Sequence, residues 1–200
     1  CVVDDKLVTG ASSYGRLITD IDLTIDRSTG EVVAKQANNV IVTRDVPADP
    51  AITALISKYQ AVAAPLANRV IGSITADITR AASAAGESAL GDVIADAQLA
   101  TRGAGAQLAL MNPGGIRTDL TFNQISGGEL PGEVTYGEAF NVQPFGNSLV
   151  TLSLTGEQID TLLEQQFDNP APGQMRILQV SQGFTYTWSA SAPTGNKVDI

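Results

Sequence analysis

The sequence predicts a protein of the α+β class. Stretches with the two-residue alternation of strands and stretches with the 3.6-residue period of helices both occur along the 200 residues. They follow one another without the regular strand–helix–strand repeat that a doubly wound parallel sheet requires. Apolar residues make up 44% of the chain, which is enough for a hydrophobic core and argues against intrinsic disorder.

The first 45 residues are predicted to form a β-hairpin. Apolar and polar residues alternate over residues 17–26, a pattern typical of a half-buried strand. Residues 26–30 (DRSTG) are predicted to turn, and residues 32–43 to return as the second strand. We interpret this hairpin as a part of something larger than the segment itself.

Residues 46–66 are predicted to be a linker helix between two domains. Asp49 has the chemistry of an N-cap residue, and Pro50 suits the first helical position. Apolar residues recur at helical spacing from Ile52 onward. Because Pro65 lacks an amide hydrogen, we expect the helix to end or kink near Ala64.

Residues 67–200 are predicted to form a second unit in which strands and helices are mixed. Ser88 and Thr155 are expected to cap two of its helices. Phe184, Tyr186 and Trp188 share one face of a predicted strand, and we interpret them as core residues. In chain order, the predicted elements are a strand at 70–79, a helix at 89–105, a buried strand at 106–112, a short helix at 136–140, a strand at 147–156, a helix at 156–167 and a long strand at 175–190.

The charge and the missing residue types limit the chemistry of this chain. With 21 acidic residues against 12 basic ones, the net charge is −9, which repels nucleic-acid polymers because their binding depends on neutralised phosphates. The sequence has no histidine, which argues against a zinc hydrolase centre or a Ser-His-Asp triad within these residues.

The single cysteine permits no internal disulfide, and no apolar run is long enough for a membrane helix. No signal peptide is visible, and we expect the chain to be a piece of a longer protein.

Residues 111–120 (MNPGGIRTDL) contain the first of three candidate binding motifs. An apolar run stops at Asn112, and Gly114 and Gly115 permit positive φ angles and a close approach of the backbone to a ligand or a neighbour. Arg117 adds a planar fork of donors that suits a carboxylate, a phosphate or paired hydroxyls. The alternative is an ordinary glycine turn followed by a solvated arginine.

The second and third motifs are a proline–aromatic turn and a helix N-terminus. Residues 144–147 (PFGN) place Phe145 at the tip of a turn, where its ring either fills the core or forms a stacking platform. Residues 86–88 (GES) precede a predicted helix whose free N–H groups favour an anion. An ordinary helix cap is the alternative for this third motif.

Taken together, the three motifs resemble the C-terminal domain of the 5′-nucleotidase family. The segments ESALGDVIADAQL, MNPGGIRTDL and YGEAFNVQPFGNSLVTLSLTGEQIDTLLEQQF occur in the order and approximate spacing of that domain. The family contains 5′-nucleotidase, UDP-sugar hydrolase and 2′,3′-cyclic-nucleotide phosphodiesterase. Residues 7–26 similarly resemble the last hairpin of the family's metallophosphatase domain. The resemblance implies three parts. Residues 1–45 would be the last hairpin of the metallophosphatase domain, and residues 46–66 an interdomain linker helix. Residues 67–200 would be an incomplete substrate-binding domain with a mixed sheet layered against helices.

The resemblance also implies a set of substrate-binding residues. They lie in the first two motifs and are Asn112, Gly114, Gly115, Arg117, Phe145 and Asn147. In the family motif Asn-x-Gly-Gly-x-Arg, the asparagine contacts the nucleoside, and the arginine contacts the ribose hydroxyls or a nearby phosphate. In the family's Pro-Phe-Gly-Asn turn, the phenylalanine is one of two that sandwich the base, and the asparagine contacts the base edge.

The chain departs from the family pattern in two places. Some members carry an arginine where this chain has Gly86, and Arg80 and Arg102 are candidates to replace it. The second stacking aromatic of the family lies near a Gly-Gly-Asp-Gly motif, which does not occur in these 200 residues. We therefore expect the second aromatic beyond Ile200, and weak nucleoside binding by this chain alone.

The function that the resemblance implies is nucleoside recognition for a phosphoric ester hydrolase. The whole protein would hydrolyse nucleotides as a 5′-nucleotidase, a 2′,3′-cyclic-nucleotide phosphodiesterase or a UDP-sugar hydrolase. Two divalent metal ions, held by aspartates, histidines and an asparagine of an upstream metallophosphatase domain in the same chain, would activate the attacking water. Within these 200 residues we expect no cofactor, no catalytic residue, no membrane span and no activity. We expect an extracellular, cell-wall or periplasmic location.

Two alternatives stay open. One is a relative with the same fold that acts on a small inorganic substrate, as the thiosulfohydrolases do. Phe145 argues against it, because such a substrate needs no stacking surface. The other is a non-catalytic ligand-binding or adhesion module, which the loss of the upstream metal ligands would distinguish from an enzyme.

Overall fold

The computed structural model describes residues 1–102 and 105–199, with Arg102 described by its backbone only. The chain divides into two compact units, Cys1–Ser57 and Lys58–Ile200. The predicted α+β class is confirmed, and the β structure of the described residues forms five two-stranded sheets, all antiparallel. The division between the units falls inside the helix that the sequence assigns to a linker.

The first unit is built on a long antiparallel hairpin. Its strands are β1 (Val2–Val3), β2 (Lys6–Leu7), β3 (Leu17–Ile25) and β4 (Val32–Ile41), with β1 paired to β2 and β3 paired to β4. The tight turn after β3 is held by the Asp26 carboxylate, which accepts hydrogen bonds from the N–H and the hydroxyl of Ser28 at 2.7 and 2.6 Å. The predicted hairpin is therefore present. The expected burial of one strand face is not, because residues 1–57, all of them described, include no buried residue, and on β3 only Leu17 and Thr19 are half-buried.

Helix α1 (Pro50–Ala67) begins where the sequence predicts it. The Asp49 carboxylate accepts hydrogen bonds from the N–H groups of Ala51 and Ile52, which would otherwise have no intrahelical partner. The helix does not end near Ala64, the first of the two predicted outcomes, since it runs through Pro65 to Ala67. Pro65 removes only its own donor, and the N–H of Asn68 still bonds to the carbonyl of Ala64 at 2.9 Å, which keeps the last turn in place.

The second unit alternates short strands with three helices. Its elements are β5 (Val70–Ser73), α2 (Ala89–Arg102), β6 (Leu110–Met111), a 3₁₀ turn (Pro113–Gly115), β7 (Glu133–Thr135), α3 (Tyr136–Val142), α4 (Gly156–Glu164), β8 (Gln179–Val180), β9 (Thr187–Trp188) and β10 (Val198–Asp199). Strand β5 pairs with β7, β6 with β8, and β9 with β10. Both predicted caps are present, because the Ser88 hydroxyl accepts from Gly91 and the Thr155 hydroxyl accepts from Gln158.

The hydrophobic core of the second unit lies beneath α2. Its buried members come from α2, β6, the residue that follows the 3₁₀ turn and the end of α3, and they are Leu90, Ile94, Ala95, Met111, Ile116 and Val142. Leu90 and Ile94 stand one helical turn apart on α2, so that the same face of the helix meets the turn and α3. This packing places the first two binding motifs side by side.

Several predicted strands are shorter than the sequence suggests. Residues 147–155 form no strand, and Val150 and Leu152 are 77% and 71% exposed, because no neighbouring strand pairs with them. The long strand predicted at 175–190 is two short strands interrupted at Gly183, whose φ of 94° is incompatible with extended backbone. The strands predicted at 70–79 and 106–112 shrink to β5 and β6.

The aromatic face predicted near the end of the chain is half-buried. Phe184, Tyr186 and Trp188 share one side of the chain, as expected. The ring of Trp188 packs on Phe167 at a centroid distance of 5.4 Å, and the Tyr186 hydroxyl donates to Gln166 Oε1 at 3.1 Å. No described helix combines the length and the apolar character that crossing a membrane requires.

Candidate functional site

A groove of about 760 Å³ opens on the second unit between α2, the 3₁₀ turn and the loop after α3. Its walls are largely apolar and include Val93, Ala97 and Leu149. Of the predicted binding residues, those that line it are Asn112, Gly114, Gly115, Phe145 and Asn147. The structure therefore brings two motifs that are separate in sequence into one concave surface.

The glycine turn shapes one end of the groove. Asn112 begins the 3₁₀ turn with its backbone and leaves its side chain out of the cap. Gly114 and Gly115 do not use the positive φ angles that glycine permits, because neither is among the positive-φ residues of the chain. The expectation of a close approach holds at Gly115, where a Cβ would collide with the Cε methyl of Met111, whereas a Cβ on Gly114 would come no nearer than 3.6 Å to Asn112 Nδ2.

Arg117 lies at the turn but outside the lining of the groove. Its Nη1 donates to the carbonyl of Gly114 at 3.3 Å, and its backbone N–H donates to the carbonyl of Val142 at 2.8 Å. The second bond ties the turn to the end of α3. The structure thus places the arginine next to the other motif residues but not among the residues that line the groove.

Arg80 supports the segment that carries Arg117. Its Nη1 donates to the carbonyl of Arg117 at 3.0 Å and contacts that of Ile116 at 3.5 Å. Its backbone N–H donates to the Asp119 carboxylate at 2.7 Å. Of the two arginines suggested as replacements for the family arginine, Arg80 is thus engaged in bracing this loop, and the side chain of Arg102 lies outside the described residues.

Gly86 stands at a position where a side chain does not fit. Its φ is +94°, and a Cβ added to it would come within 2.5 Å of Ile177 Cγ1. A residue with a side chain would therefore meet both backbone strain and a core neighbour. In this chain the position therefore does not accept the arginine that some family members carry.

Phe145 is exposed at the edge of the groove. The residue is 46% exposed, so it does not fill the core. Its backbone N–H donates to the carbonyl of Gln143 at 2.8 Å, which fixes the turn that carries the ring. An exposed aromatic ring leaves apolar surface in contact with water, which costs about 25 cal/mol of free energy per Å². A stacked partner would recover that free energy.

The N-terminus of α2 is an ordinary cap rather than an anion site. The hydroxyl and the N–H of Ser88 donate to Gln179 Oε1 at 2.8 and 2.7 Å, in a buried arrangement. Two carboxyl groups lie close by. Burial raises the pKa of Glu87 and repulsion from Asp92 raises it further, while burial and then repulsion from Asp96 raise the pKa of Asp92. The negative charge that Glu87 and Asp92 carry when they are ionised disfavours an anionic ligand.

Sequence reasoning missed two glutamines in the groove. Gln98 on α2 and Gln143 at the end of α3 both line it. Each donates its Nε2 hydrogen to the Sδ of Met111 at 3.4 Å. Neither glutamine stands in a motif, and only the packing of α2 against α3 and β6 brings them together.

The described residues include no group of three or more Asp, Glu or Cys side chains arranged to hold a metal ion. Residues 70–200, which include the whole groove, match the family described as 5′-nucleotidase, C-terminal domain. The chain belongs to the 5′-nucleotidase family. The resemblance carried by the three motifs is thereby confirmed.

Three similar proteins show how far the likeness extends. Endonuclease YhcR of Bacillus subtilis is 34% identical over 199 residues, covering 99% of this chain and 15% of the relative. A cell wall protein of Listeria monocytogenes is 34% identical, covering 94% of this chain and 24% of the relative. The crystal structure of a 5′-nucleotidase precursor from Thermus thermophilus has a TM-score of 0.59 and 30% identity, covering 92% of this chain and 35% of that one. The chain spans less than a quarter of the length of each of the two curated relatives.

Proposed function

We propose that this chain is the nucleoside-recognition part of an exported phosphoric ester hydrolase. The observation that carries the proposal is the half-exposed ring of Phe145, held on a turn at the edge of an apolar groove. Asn112 and Asn147 line the same groove and offer amide groups for a sugar or a base. A stacking ring beside amide donors and acceptors suits a nucleoside better than a small inorganic ion.

Catalysis is assigned to a preceding metallophosphatase domain of the same protein. In that domain two divalent metal ions would activate the attacking water and stabilise the leaving oxygen. The role of this chain is to bind the nucleoside and so orient the phosphate ester toward that centre, and by itself it is expected to be inactive. Family membership and the similarity to a cell wall protein support an exported location.

The proposal is tested by comparing two substrates in the full-length protein. Replacing Phe145 with alanine removes the stacking surface. We expect the kcat/KM for adenosine 5′-monophosphate to fall by the equivalent of about 1–3 kcal/mol, since stacking is lost, while hydrolysis of the base-free ester p-nitrophenyl phosphate is unchanged. Steady-state kinetics on both substrates measures the difference.

Phe140→Ala is the matched control. Phe140 is 50% exposed, close to the 46% of Phe145, but it lies outside the lining of the groove and stacks on Tyr136. The Phe140→Ala variant should leave the ratio of kcat/KM for the two substrates unchanged. Equal losses for both substrates in the Phe145 variant, or no loss for either, would show that the ring does not bind a base.

A further inference from the structure

We propose that Gln98 and Gln143 determine base specificity by hydrogen-bonding the edge of the base that stacks on Phe145. This inference rests on the function proposed above. It concerns residues outside the two motifs, and it assigns them a task distinct from stacking and from sugar binding.

The two carboxamides converge on one buried sulfur. Met111 is 6% exposed at the end of β6, and its Sδ accepts a hydrogen bond from each glutamine at 3.4 Å. Gln98 comes from α2 and Gln143 from the C-terminal end of α3, so that two helices supply them. Both side chains are half-buried and line the groove.

The shared sulfur fixes which way each amide faces. A thioether is a weak acceptor and cannot donate, so the Nε2 group must face it and the Oε1 atom must face elsewhere. In the part of the chain that the structure describes, neither Oε1 accepts a hydrogen bond from another residue. A half-buried amide in an apolar groove with bonding capacity left over is expected to bond to whatever polar edge enters the groove.

The backbone sets the distance between the amides and the stacking ring. Gln143 lies two residues before Phe145, and its carbonyl accepts the Phe145 N–H at 2.8 Å. A base stacked on the ring would present its edge sideways in the plane of the base. Glutamine amides pair with an edge that places a donor beside an acceptor, as adenine does with its exocyclic amine and a ring nitrogen. We therefore assign the groove a ligand base with such an edge.

The test removes either the amide from the protein or the exocyclic amine from the substrate. In the full-length protein, kcat/KM is measured for adenosine 5′-monophosphate and for purine riboside 5′-monophosphate, which lacks only the exocyclic amine. The wild-type protein should prefer the first by about 5- to 150-fold. Gln143→Leu and Gln98→Leu should each lower that ratio, through a higher KM for adenosine 5′-monophosphate alone. Gln165→Leu, at an exposed position outside the groove, should retain the wild-type ratio.

A gentler variant protects the test against misfolding. Gln143→Asn keeps the amide but withdraws it by one methylene, and it should also lower the ratio. The inference is overturned if the wild-type protein does not distinguish the two nucleotides, or if Gln143→Asn and both leucine variants keep its ratio. In that case a continued sensitivity of both nucleotides to Phe145→Ala leaves the proposed function intact. Loss of that sensitivity sinks the proposed function itself.

Discussion

Two adjacent glycines of the binding turn have different structural roles. The methyl end of Met111 occupies the space that a Cβ on Gly115 would need, whereas the space beside Gly114 is open to 3.6 Å. In Gly115→Ala the Met111 side chain must move, and its contacts with Gln98 and Gln143 are lost. We expect a loss of about 1–3 kcal/mol in the free energy of unfolding, at the lower end because the end of a methionine is flexible.

Gly114→Ala serves as the control for this prediction. With no positive φ and no close neighbour, the added methyl should change the free energy of unfolding by less than about 1 kcal/mol. Urea denaturation followed by circular dichroism measures both variants. Equal stability of the two alanine variants would show that Met111 does not prevent a larger residue at position 115.

At the scale of elements, the start of helix α2 contains a carboxyl group in an unfavourable setting. Asp92 Oδ1 is buried and has no hydrogen-bond partner among the described residues. Burial, followed by repulsion from Asp96, raises the pKa of Asp92 above its usual 3.8. A carboxyl with a raised folded-state pKa binds more protons in the folded than in the unfolded state, so stability falls as pH rises through that window.

Asp92→Asn should therefore stabilise the chain at neutral pH, and the gain should shrink as the pH falls, because protonation of the wild-type carboxyl then removes the same charge. Thermal unfolding measured from pH 4 to pH 7.5 gives the difference. Glu157→Gln is the control, since Glu157 is an exposed acid in the first turn of α4. There the charge favours the helix dipole, so its removal should not stabilise the chain. An Asp92→Asn gain that is independent of pH would rule out titration as its cause.

At the scale of the whole molecule, the first unit lacks a core of its own. Strands β3 and β4 form a two-stranded hairpin with exposed apolar side chains, including Ile18 at 62% and Ile41 at 71%. An isolated hairpin is marginally stable in water, so an exposed one of this size needs a covering partner. Under the proposed function, that partner is the preceding metallophosphatase domain.

Hydrogen exchange followed by mass spectrometry tests this expectation. Amides of β3 and β4 should exchange faster in the 200-residue chain than in the full-length protein, because only the latter covers the hairpin. Amides of α2, whose Leu90 and Ala95 are buried within the second unit, should exchange alike in both. Equal protection of the hairpin in the two proteins would contradict the assignment.

The sequence alone determined the features that depend on neighbours a few residues away. Asp49, Ser88 and Thr155 cap helices as predicted, because each carboxylate or hydroxyl bonds to N–H groups two or three residues along the chain. The hairpin turn and the order of the binding motifs are equally local. Family membership followed from those motifs because their residue types and spacing are written directly in the chain.

Only the tertiary structure decided the features that depend on partners far along the chain. The apolar alternation at 147–156 predicted a strand, but a strand exists only where another strand supplies hydrogen bonds. A larger residue does not fit at position 115 because Met111 occupies the space of its Cβ, and none fits at position 86 because Ile177 does the same there. The two glutamines face one sulfur because α2 and α3 pack on the same core. Contacts of this kind arise from three-dimensional packing, which local sequence patterns do not encode.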